Sequence, residues 1–173
     1  MSTSTVRGAD IVMRTLERAG HSTIFTLSGN HIMSLFDAAI DTRHRLVHTR
    51  HEAAAVHMAD AWGRLTGEPG IAMVTGGPGH ANAAAALMTA QGQESPLVLL
   101  SGHTETMQLG RGGFQELRQA EMAAPVAKAS WTAKSAASLG SKSGRAIVAG
   151  SKNHSQVTVV RPGPSGHSVC SIT

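Results

Sequence analysis

The chain has 173 residues, 41% hydrophobic and only 15% charged, with a formal net charge of +4, which suits one well-cored α/β domain and excludes a disordered polymer. Its basic residues are scattered, and three Phe, two Trp and no Tyr make no stacking platform, so nucleic acid is excluded as a partner. One cysteine, Cys170, permits no internal disulfide and points to a reducing cytoplasm, and no signal-type core or membrane-spanning apolar stretch is present, so no membrane partner is expected.

The first predicted element is a helix over 8–19, where Ile11, Val12, Leu16 and Ala19 recur at helical spacing before Gly20. STIFTL (22–27) predicts a strand, SGN a break, and Ile32, Leu35, Phe36 and Ala39 a helix over 31–40. RLVHT (45–49) reads as a strand, 52–65 as a helix ended by Thr66-Gly67, and GIAMVT (70–75) as a strand. GGPGH makes a turn, 82–91 is an Ala-rich helix, and PLVLLSG (96–102) is a nearly all-apolar strand.

Continuous apolar strands separated by helices imply a doubly wound α/β fold, a mostly parallel sheet with helices on both faces. Residues 103–117 carry three glycines without sustained period and read as a long loop on the carboxyl-end side of the sheet. PVAKAS (125–130) is a further candidate strand, and a helix begins at Ala133. Beyond 139 the pattern degrades into SKSGRAIVAGSKNHSQ, followed by the strand-like VTVV and then a turn with a candidate edge strand.

Two constellations could carry chemistry. Glu52 opens a helix, where the helix dipole favours a carboxylate for structural reasons alone, but it also follows a strand, at the end of a parallel sheet where ligands bind. The turn TGGPGHANA (75–83) lets backbone approach a ligand, yet it fits neither GxxxxGK[ST] nor GxGxxG. It reads equally as a tight strand-to-helix turn. Of ten histidines, His44, His48, His51 and His57 lie close in sequence, but HEAAAVH has the wrong spacing for a zinc helix, and no metal site is assigned. No GxSxG nucleophile elbow occurs.

Taken in order, FTLSGNHIMSLFDAAI, HTRHEAAAVHMADAWGRLTGEPGIAMVTGGPGHANA, SPLVLLSG and GRGGFQELRQAEMAAPVAKAS resemble the N-terminal pyrimidine-binding domain of acetolactate synthase-like thiamine diphosphate enzymes. The resemblance assigns this domain to 1–139 and leaves 140–173 as a divergent tail, expected to mark a truncated or frame-disrupted version of a longer enzyme.

The resemblance implies that Glu52 is catalytic and hydrogen-bonds the aminopyrimidine N1′ of thiamine diphosphate. A carboxyl group in a dry crevice holds its proton more tightly and can share it with that nitrogen. It further implies cofactor-side contacts for Gly29, Asn30, Pro78, Gly79 and Asn82, and substrate-side positions for Phe114 and Gln115. His80 is open between a substrate-side polar group and a helix-start residue.

The family's diphosphate and magnesium site belongs to another domain, whose GDG-to-Asn motif is absent here. The implied function is thiamine diphosphate binding within a carboligase or decarboxylase acting on 2-oxo acids or related acyl substrates. A homodimer, or a complementing chain carrying the diphosphate domain, would complete the site. The alternative is a non-catalytic fragment that only folds and dimerises or pairs with a full-length relative.

Overall fold

The computed structural model describes residues 7–133 and the backbone of 155–159. Strands β1 (Thr23–Thr26), β2 (Arg45–His48), β3 (Gly70–Val74), β4 (Leu97–Ser101), β5 (Ala129–Thr132) and β6 (Ser155–Val159) form one sheet in the order β2-β1-β3-β4-β6-β5. Every pairing is parallel. Helices α1 (Gly8–Arg18), α2 (Met33–Ile40), α3 (Glu52–Thr66), α4 (Pro78–Gly92) and the short α5 (Gln119–Ala123) complete the doubly wound α/β architecture.

The two faces are separated by strand alternation. Ile24, Ile71, Met73, Val98 and Leu100 point one way and are buried with Val12, Met13, Leu16, Ile32 and Leu35 from α1 and the α2 region. Phe25, Ala72, Val74, Leu97 and Leu99 point the other way and are buried with Ala55, Val56 and Ala59 of α3 and Ala83, Ala86, Leu87 and Ala90 of α4. β3 and β4 are buried at all five positions each, which explains their unbroken apolar sequence.

Small residues let α3 lie close to the sheet. A Cβ on Gly70 would collide with the Ala59 carbonyl oxygen, and one on Gly63 with that of Pro96. The helix stops at Gly67, whose φ of 74° gives a left-handed cap and lets its N–H bond the Gly63 carbonyl at 2.9 Å.

Three elements differ from the sequence expectation by more than one residue at a boundary. The helix expected over 31–40 divides into a 3-10 turn at Asn30–Ile32 and α2, with no cap from the side chain of the N-cap residue, Gly29 or Ile32, at either start. The helix expected from 82 begins at Pro78, because proline at the first helical position has no N–H to satisfy and a preset φ. The strand expected over 125–130 is Ala129–Thr132, since Ala124–Val126 forms a 3-10 turn around Pro125. The loop over 103–117 contains one 3-10 turn, Thr106–Gln108. VTVV falls largely within β6, while the helix expected from Ala133 and the terminal edge strand lie outside the described residues.

Strand order reverses beside β1: the chain moves outward from β1 to β2, then returns across β1 to β3. The carboxyl ends of β1 and β3 therefore flank the topological switch point, where open α/β sheets form a ligand crevice. Glu52 follows β2 at the same end of the sheet.

Candidate functional site

The helix start that carries Glu52 is fixed by residues close to it in sequence. The Thr49 N–H bonds the Thr26 carbonyl at 2.9 Å, and its hydroxyl donates to the His51 carbonyl at 2.9 Å, tying the end of β2 to that of β1. His51 has extended backbone, and its Nδ1 accepts the Ala53 N–H at 3.2 Å, an N-cap made by an imidazole. Glu52 becomes the first residue of α3 and is only 9% exposed.

Two residues from α4 then meet its carboxylate. Asn82 donates from Nδ2 to Oε2 at 3.0 Å. On the other side, a Cβ on Gly79 would stand 3.1 Å from Oε1 and 2.6 Å from the Thr75 methyl carbon. Glycine at 79 thus keeps a narrow space open beside Oε1. Gly29 closes the row from β1, for its own Cβ position is filled by the Thr75 side chain.

The next group lies around His31. Its Nδ1 is 3.4 Å from the Thr75 hydroxyl, and its ring faces Phe114 with centroids 5.8 Å apart. Gly76 and Gly102 lack side chains where His31 stands: a Cβ on Gly76 would be 3.0 Å from its Nδ1, and one on Gly102 2.5 Å from its Cβ. Burial lowers the His31 pKa, opposed by a hydrogen bond with the Phe114 backbone, so the neutral ring is favoured.

Glu52, Gly79 and Asn82 therefore meet directly, and Gly29 joins them through Thr75. Asn30 and Pro78 are exposed at the starts of the 3-10 turn and α4. Phe114 is 65% exposed over His31, and Gln115, at a φ of 53°, lays its carbonyl against Gly77, where a Cβ would approach within 2.5 Å.

His80 does not open on this crevice. It is fully buried, its Nδ1 pairs with the Ser101 hydroxyl at 2.7 Å, and burial pushes its pKa down to about 4. The Gln119 backbone opposes that shift and His103 adds to it. Of its two readings, the geometry is that of a helix-start residue turned inward.

Sequence reasoning did not single out Thr75, His31 or Gln119. Thr75 and His31 follow β3 and β1, so adjacency to the switch point was the available signal. Gln119 carries none, because its partners Gly77 and Gly102 are remote in sequence. Among the described residues no group of three or more His, Cys, Asp or Glu side chains could hold a metal ion, and no described helix is long and apolar enough to cross a membrane.

A family model described as "Thiamine pyrophosphate enzyme, N-terminal TPP binding domain" matches residues 6–122. The chain is 39% identical over 136 residues to a probable acetolactate synthase of Mycobacterium bovis, covering 79% of this chain and 25% of that protein. It is 42% identical over 132 residues to the acetolactate synthase isozyme 3 large subunit of Escherichia coli, with 73% and 22% covered. Its identity to 2-hydroxyacyl-CoA lyase 2 of Danio rerio is 42% over 121 residues, 70% of this chain and 20% of that protein. The chain spans about a quarter or less of the length of these curated relatives.

Proposed function

The chain belongs to the thiamine pyrophosphate enzymes through their N-terminal TPP-binding domain, and from that premise we propose that it supplies the aminopyrimidine half of a thiamine diphosphate site. The observation that carries this reading is the corner formed by Glu52, Asn82 and Gly79: a buried carboxylate with one oxygen held by an amide and the other beside glycine. Those residues fit the group. Glu52 would hold the ring nitrogen, Asn82 would fix the orientation of the carboxylate, and Gly79 would leave room for the ring's approach.

When bound, thiamine diphosphate supplies a carbon nucleophile for addition to a carbonyl group. The chain's own contribution is to hold a proton between the Glu52 carboxylate and the ring nitrogen, in a crevice where burial strengthens that hydrogen bond. Gly29, Asn30 and Pro78 line the cofactor side in this reading, while Phe114 and Gln115 border the substrate. His80, sealed against Ser101, serves the fold instead.

The diphosphate and its magnesium are assigned to a separate domain, brought by a homodimeric partner or a complementing chain. The length of the relatives, of which the chain spans about a quarter, supports this division. The proposed overall activity is carboligation or decarboxylation of 2-oxo acids or related acyl substrates.

In the assembled enzyme, Glu52→Gln should slow exchange of the cofactor's C2 proton by about a hundredfold or more while folding is kept, the expected cost of a lost proton relay. Unchanged exchange would sink the role given to Glu52. Calorimetry on the chain alone, with thiamine diphosphate and magnesium, should show weak binding; tight magnesium-dependent binding would overturn the half-site division. Unaltered inactivity with a chain carrying the diphosphate domain would favour the fragment that only pairs.

A further inference from the structure

Gln119 is 1% exposed, and both ends of its amide are engaged. Its Oε1 accepts the Gly77 N–H at 3.0 Å, and its Nε2 donates to the Gly102 carbonyl at 2.8 Å. One side chain thus joins the turn after β3 to the residue after β4. Gly76 makes the passage possible: a Cβ there would stand 3.0 Å from the Gln119 Oε1.

The acceptor at Gly77 answers a specific need. Gly77 is the N-cap of α4, with φ 58° and ψ −117°, and has no side chain with which to cap the helix. In a capping box the third helical residue would reach back to the N-cap N–H. Here that residue is His80, whose Nδ1 is paired with the Ser101 hydroxyl. Gln119 supplies the missing acceptor from another element.

The consequence travels along α4. Its first two turns carry Gly79 and Asn82, the two residues that meet the Glu52 carboxylate. A second contact, from the loop that leads into α5, adds to the first: the Gln115 carbonyl oxygen lies within 2.5 Å of where a Cβ on Gly77 would stand. The segment 115–119 therefore grips the turn from which Asn82 is projected, and also carries the chain bearing Phe114 over His31.

We propose that Gln119 is a positioning residue that couples the loop after β4 to the Glu52–Asn82 pair, by fixing where α4 begins. This rests on the reading of Glu52 and Asn82 as the aminopyrimidine half-site. It assigns Gln119 no contact with cofactor or substrate; it acts through Gly77 and α4.

Nuclear magnetic resonance on the full chain tests it, with thiamine diphosphate and magnesium as the probe. Gln119→Met should speed exchange of the Gly77 amide by about tenfold, the loss of one buried hydrogen bond. It should also move the Asn82 side-chain amide signals toward those of free asparagine and weaken their response to the probe. Gln119→Glu keeps the acceptor for Gly77 and, at a pH low enough for the buried carboxyl to keep its proton, the donor to Gly102 as well, so it should retain the Gly77 protection and the Asn82 signals. If the Met variant fails to fold, the Glu variant alone decides, since loss of the Asn82 signals there would overturn the proposal. So would a Met variant in which Gly77 opens while Asn82 is unmoved, for that is a merely local role. A wild-type chain whose Asn82 ignores the probe would count against the half-site, while the Asn82 signals without probe would still decide the coupling.

Discussion

Gly79→Ala adds a methyl group at the second position of α4, and two opposing effects set its cost. Alanine is favoured over glycine in a helix by at most about 1 kcal/mol, and less in a first turn. Against this, the new Cβ would stand 2.6 Å from the Thr75 methyl carbon, in a buried region where overpacking costs about 1–3 kcal/mol. Net destabilisation of about 1–2 kcal/mol is expected. Thr75→Ser removes the nearest atom and keeps the hydroxyl that faces His31, after which the closest remaining neighbour is Glu52 Oε1 at 3.1 Å. Urea unfolding of the four proteins of this double-mutant cycle should therefore show a coupling of about 1–2 kcal/mol in favour of the double variant. The response to thiamine diphosphate should stay impaired in the double variant, because the carboxylate is still crowded. Additive stabilities, or recovery of the ligand response together with stability, would refute the reasoning.

His80 should make the fold acid-sensitive. Its folded pKa of about 4 lies below its unfolded 6.5, so the unfolded chain binds more protons between these values. The contribution, up to about 3 kcal/mol, is complete above pH 6.5 and is lost as pH falls towards 4. Urea titrations at several pH values should give a flatter profile over this window for His80→Gln than for the parent, and parallel profiles would count against it. The Glu116 carboxylate accepts the N–H groups of Gly110 at 2.7 Å and Gly113 at 3.2 Å, and the Gly110 bond, the largest cause, lowers its pKa. Loop order from this pair is present above the ordinary carboxylate range and lost as pH falls through the lowered value. The exchange rates of both amides should rise there, and should already be raised at neutral pH in Glu116→Ala.

What was legible in the sequence follows from the range of the interactions involved. The all-apolar β3 and β4 report their burial directly, and the doubly wound order follows from their alternation with helices. The helix start at Glu52 was legible because the residues that fix it, Thr49, His51 and Ala53, lie within three positions of it. The start of α4 was not, since GGPGH has turn chemistry throughout and only the packed structure shows the helix opening at Pro78. His80 looked available to a ligand because its polarity was visible and its partner Ser101, on the next strand, was not. Gln119 was invisible for the same reason, with a glycine backbone at each end of its amide.

The same distinction between local and remote contacts bears on what the proposed partner would provide. The Glu52 carboxylate is oriented by Asn82, and its helix start is fixed by Thr49 and His51, all within this chain. Preorganisation of that kind lowers the cost of ordering a site when its ligand arrives. Phe114 and Asn82, by contrast, are exposed. A second polypeptide closing over them would exclude water from a carboxylate that is already aimed, instead of having to aim it. Its contribution would then be charge for the diphosphate and enclosure for the reaction, so binding of a thiamine analogue without phosphates should depend far less on the partner than binding of the diphosphate does. Equal dependence of the two ligands on the partner, measured by calorimetry, would show that the carboxylate corner is completed from outside.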